Sequence, residues 1–134
     1  MTLLAGIVVV AYGLCLVGFT GIVFFKPVPT KRFLMSFASS ARAHYIEQAC
    51  RLLFGTSLVV LSAAMWQTTM FRVIGWAIVI SSVALLLMPW QWHHRFGRRA
   101  LPSVVRHMTL YAVGVFAFGC LLLYGVLGSS RGVP

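Results

Sequence analysis

The sequence is almost without acid. Glu47 is its only carboxylate side chain against eleven Lys and Arg, which leaves a formal net charge of +10. Charge of either sign is scarce, at 9% of residues, where a soluble domain carries about a quarter. Hydrophobic residues fill 60% of the 134 positions. A water-soluble fold of this length could not hide so much apolar surface, so lipid is the solvent that remains. Cysteine is scarce too. Cys15, Cys50 and Cys120 are odd in number and widely spaced, with no Cys-x-x-Cys. That excludes a zinc knuckle and a redox pair, and the expectation is of small buried hydrophobes. No acid falls at mid-membrane, which argues against a proton-coupled carrier of the ordinary kind.

What is present is a set of long uncharged runs. Residues 3–25 lie before Lys26-Pro27, 52–71 between Arg51 and Arg72, 73–92 between Arg72 and His93, and 108–130 between His107 and Arg131. About 20 residues of helix cover roughly 30 Å, the hydrocarbon thickness of a bilayer. The expectation is an all-α integral membrane protein, a four-helix bundle in one domain over 1–134. Its spans fall near 3–25, 50–70, 73–92 and 106–128. The second is the weakest, since Gln67, Thr68 and Thr69 stand at its far end. The first run is not a secretory signal, because its positive charge comes after the apolar stretch instead of preceding it.

Basic residues set the orientation. Lys26, Lys31, Arg32, Arg42, Arg51, Arg95, Arg98, Arg99 and Arg106 gather in two connections, against Arg72 and Arg131 elsewhere. Basic residues in short loops stay cytoplasmic. Both termini are therefore expected on the non-cytoplasmic side of a bacterial inner membrane or its equivalent. Charges flanking apolar runs suit anionic lipid headgroups better than a nucleic acid.

Pro27 and Pro29 end the first span, with Thr30 as N-cap for the next helix. Leu34, Phe37, Ala38, Ala41 and Tyr45 recur at helical spacing among polar neighbours. That predicts an amphipathic interfacial helix over 31–43, between spans 1 and 2. Trp90 and Trp92 beside the 93–99 basic cluster mark the interface in the other connection, and Pro102-Ser103 offers a start for span 4. The two connections match at Pro27 and Pro89, Arg32-Phe33 and Arg95-Phe96, Arg42 and Arg106, and His44 and His107. That match implies a 2+2 parallel repeat. Small residues suggest helix contacts, with Gly6 and Gly13 in span 1 and Ala77, Ser81 and Ala84 in span 3.

No catalytic motif stands out and no cofactor is predicted. Glu47 has His44 three residues before it and Arg51 four after it, the favourable order for a helical ion pair. It reads as a structural pair with Arg51 or as a functional acid. Arg42, Arg95, Arg98, Arg99 and Arg106 are candidate contacts for anionic lipid or phosphate. His44 and His107, equivalent in the repeat, are the pair available to a metal or haem. These features fit three roles. The first is a non-catalytic accessory, assembly or lipid-contacting subunit, with anionic lipids and other membrane subunits or a second copy as partners. The others are a small oligomeric transporter or channel, and a haem- or quinone-binding redox subunit using His44 and His107.

Overall fold

The structure is a computed structural model that describes residues 2–37 and 40–129. It holds six helices: α1 (Thr2–Phe25), α2 (Pro27–Phe37), α3 (Ala41–Ser62), α4 (Thr68–Leu87), α5 (Trp90–Arg106) and α6 (Met108–Ser129). The order long, short, long occurs twice.

The all-helical class agrees with the sequence, but the count of four spans does not. Among the described residues three helices, α1, α4 and α6, are long and apolar enough to cross a bilayer. The uncharged run 52–71 is not one helix. Its helix ends at Ser62, a turn occupies 63–67, and 68–71 opens α4. The apolar part left to α3, 52–62, is about 16 Å long, half a bilayer. The remainder of α3 is 41–51, which carries Arg42, His44, Glu47, Gln48 and Arg51.

At the polar foot of α3 only His44 and Gln48 are buried, and Arg42 is exposed. The helix packs along α4 and also touches α1, while α1 packs along α6. The core gathers Ala5 and Val9 of α1, Phe54, Leu58 and Leu61 of α3, Met65 of the turn, Phe71 of α4 and Leu122 of α6. Large apolar residues elsewhere on the long helices face outward: Leu14 and Phe24, Val73 and Ile80, Leu110 and Leu127. Between 17% and 22% of the apolar stretches of α1, α4 and α6 are buried inside the molecule. Water would penalise that surface at about 25 cal/mol per Å², and hydrocarbon would not. Cys15, Cys50 and Cys120 are exposed, not buried as expected.

The α3–α4 pair and the α1–α6 pair each cross at two glycines. A Cβ on Gly75 would come within 3.1 Å of the Gly55 carbonyl, and one on Gly119 within 3.1 Å of the Gly13 carbonyl. Absent side chains let these backbones approach closely. Gly13 and Gly75 stand as far apart in the chain as Pro27 and Pro89. Of the other expected small residues, Gly6 meets nothing within 4 Å. Ala77 and Ala84 are exposed, and Gly75 and Ser82 are the buried small positions of α4.

The pairs run antiparallel. Ala5 lies in one cluster with Leu122, and the Thr20 hydroxyl sits between the carbonyls of Leu16 (3.0 Å) and Ala112 (3.3 Å). The start of α1 and the end of α6 therefore share one end of the bundle. There Trp66 meets Tyr124 edge-on, ring centroids 5.7 Å apart. The other end is basic and is built from α2, the foot of α3 and α5.

The interfacial helix also differs from expectation. α2 starts at Pro27 and ends at Phe37, and residues 41–43 belong to α3; Ala38 and Ser39 lie outside the described residues, as does Arg131. Thr30 is inside α2, where its hydroxyl donates to the Lys26 carbonyl at 2.8 Å. Ser40 is the cap that operates, on α3, accepting from the Ala43 amide at 3.2 Å. The 93–99 cluster is part of a helix instead of a connection. α5 runs through Pro102 to Arg106, and α6 begins at Met108. α4 stops where Met88, placed before Pro89, turns extended (φ −78°, ψ 131°).

Candidate functional site

Helical spacing brings His44, Glu47, Gln48 and Arg51 to one side of α3. His44 is buried, and its Nε2 lies 3.2 Å from the Leu85 carbonyl of α4. A carbonyl only accepts, so Nε2 carries the hydrogen. Leu85 needs this donor because its in-helix partner would be the amide of residue 89, a proline. The other ring nitrogen, Nδ1, is buried and has no partner among the described residues. Gln48, one turn on, is 0% exposed, and both its Nε2 and Oε1 lack partners among them. A buried unpaired amide is costly.

The His93 ring of α5 packs on His44, centroids 4.5 Å apart at 45°. Burial lowers the His93 pKa below 6.5; the nearby His44 and Arg51 lower it further, and Glu47 opposes them. His44 therefore meets His93, whereas His107 is the exposed C-cap of α5. Among the described residues no three His, Cys, Asp or Glu side chains converge as metal ligands.

Glu47 and Arg51 approach to 3.9 Å, each about one third exposed. Arg51 Nη2 donates to Ser81 Oγ of α4 at 3.1 Å, and Ser81 Oγ donates to the Ile78 carbonyl at 3.0 Å. Beside the pair lies a cavity of about 450 Å³, walled by Tyr12 and Leu16 of α1, Phe54 of α3, Ile78 of α4 and Phe118 of α6. Tyr12 and Phe54 stack at 3.9 Å. A second cavity, about 360 Å³, lies between Phe33 and Leu34 of α2 and Phe96 and Leu101 of α5, and Glu47 borders this one as well.

α5 divides sharply into two faces. Gln91, His94, Arg95, Arg98 and Arg99 recur at three- and four-residue spacing and line a groove of about 420 Å³. Phe96, Gly97, Ala100, Leu101 and Val104 form the opposite face, toward α2. No residue of α5 is fully buried, and Trp92 and Phe96 are largely exposed. Arg106 sits in the last turn, where a cation meets unpaired carbonyls favourably. Arg42 is exposed in the first turn of α3.

Three outward-facing apolar helices and a basic, aromatic end are the features of an α-helical, multi-pass membrane protein. Comparison with protein-family models, with curated proteins and with solved structures finds no match.

Sequence reasoning missed Gln48, Ser81, Tyr12 and the pairing of His93. Gln48 had a signal, standing four residues after His44, as did Ser81 in the small stripe of α4. That Arg51 reaches Ser81 depends on how α3 and α4 cross.

Proposed function

We propose that the protein is a non-catalytic, lipid-contacting membrane subunit, acting as an accessory or assembly component of a membrane complex. Its basic end lies in the cytoplasmic headgroup layer and holds anionic lipid against α5. The observation that carries this reading is the α5 face: His94, Arg95, Arg98 and Arg99 beside one groove, on a helix with no buried residue. Its apolar side, with Trp92 and Phe96 exposed, suits the acyl boundary, and its guanidinium groups suit phosphate. Gathering basic residues at one end supports the cytoplasmic assignment. An internal repeat of the helix order long, short, long belongs to the same proposal, supported by the equal spacing of Gly13 and Gly75 and of Pro27 and Pro89.

The test is thermal unfolding of detergent-purified protein with phosphatidylglycerol or phosphatidylcholine added. Phosphatidylglycerol should raise the midpoint more, at about 1 kcal/mol per engaged Arg, and added salt should erode the difference. The triple change Arg95→Gln, Arg98→Gln, Arg99→Gln should abolish it. Equal effects of the two lipids on the wild type would remove the reading.

A further inference from the structure

We infer that the cavity between α1, α3, α4 and α6 binds one zwitterionic lipid, its phosphoethanolamine headgroup held by Glu47 and Arg51 and an acyl chain held by the apolar wall. This goes beyond the α5 face and rests only on the membrane class of the protein.

The charges come first. Glu47 is the sole acid of the chain, yet it is not spent on a tight pair. At 3.9 Å the contact to Arg51 is longer than a hydrogen bond. A carboxylate accepts at two oxygens, and a guanidinium has five N–H donors. Among the described residues, Ser81 takes one of these donors. The site therefore has a net charge of zero and two unsaturated centres side by side. A lone cation would be repelled by Arg51, and a lone anion by Glu47. A molecule carrying an ammonium and a phosphate a few ångströms apart satisfies both.

The donors narrow the headgroup further. A primary ammonium offers N–H groups to the carboxylate, which a trimethylammonium lacks. Choline headgroups are held by open aromatic faces, and here Tyr12 and Phe54 cover each other. The phosphate matches Arg51, which Ser81 already holds in place.

The walls identify the source as lipid. Leu16, Phe54, Ile78 and Phe118 are apolar, which suits an acyl chain and not a water-borne zwitterion. The volume, about 450 Å³, lies in the roughly 300–1,000 Å³ range of ligand pockets. At its rim Ile46 and Cys50 are exposed, on the lateral surface where lipid would enter.

The test is native mass spectrometry of full-length protein extracted from vesicles of equal phosphatidylethanolamine, phosphatidylcholine and phosphatidylglycerol. One phosphatidylethanolamine should be retained about tenfold over phosphatidylcholine, the factor expected from one charge-assisted hydrogen bond. Glu47→Gln should bring that ratio to about one. The exchange Glu47→Arg with Arg51→Glu keeps an ion pair for folding while reversing the site, and should lose the preference too. The α5 triple Arg→Gln variant should keep it, which separates this site from the anionic-lipid groove. Equal retention of the ethanolamine and choline lipids by the wild type would overturn the proposal. So would a preference that survives the charge exchange or disappears with the α5 variant. Displacement by millimolar O-phosphoethanolamine would show that the headgroup suffices, and would overturn the lipid assignment.

Discussion

His93 shows how a residue's chemistry here depends on its neighbours more than on its position in the chain. From α5 it packs on buried His44, and burial opposes charging its ring. Its pKa in the folded protein is therefore below 6.5, whereas the unfolded chain titrates near the ordinary value. Between those values the unfolded chain binds a proton that the folded one does not. Stability is then complete above about pH 6.5 and declines as pH falls through that value toward the folded pKa. Thermal unfolding at pH 7.5 and 5.5 should show a drop for the wild type that is smaller for His93→Gln. Equal drops would mean that His93 is not the titrating group. Gln48 depends on its neighbours in the same way. Its type and spacing are plain in the sequence, but only packing reveals a fully buried amide with no partner among the described residues.

Among the helices, α1 and α6 were legible because uninterrupted apolar runs need no partner to be recognised. α3 was not. A charge marks the end of a span only where it meets water, and α3 carries His44, Glu47 and Arg51 against α4 and α5 instead. α5 was legible in principle. Gln91, His94, Arg95, Arg98 and Arg99 keep helical spacing, but Gly97 and Pro102 have the character of helix breakers. Packing of the long helices depends on their glycines. A Cβ on Gly75 would stand 2.7 Å from Val59 Cγ2 and 3.0 Å from the Val59 backbone nitrogen. Backbone cannot give way as a side-chain tip can, so Gly75→Ala should cost about 1–3 kcal/mol. Gly6→Ala, with nothing within 4 Å of the new atom, should be neutral or stabilising by up to about 1 kcal/mol. Chemical unfolding in mixed micelles compares the two, and equal losses would mean that the α3–α4 crossing does not depend on Gly75.

At the scale of the whole molecule, the two ends differ in charge. Cysteines placed singly at Gly97 and Met70, in a background without Cys15, Cys50 and Cys120, read the orientation of those ends in intact cells. Position 70 should react with an impermeant thiol reagent from outside, and position 97 only after the membrane is opened. The reverse pattern would invert the proposed orientation.

Composition and run length alone determined that the chain is helical, belongs in lipid and concentrates its basic residues in two stretches of sequence. Those properties come from residue counts and from the distance a helix must travel through hydrocarbon. The ends of the helices left three of them, among the described residues, long and apolar enough to span; tertiary structure alone decided that His44 meets His93. It also decided that Glu47 and Arg51 border an apolar cavity. Each depends on which faces the helices turn to one another, and the glycine crossings and the polar foot of α3 set those faces through contacts between residues far apart in the chain.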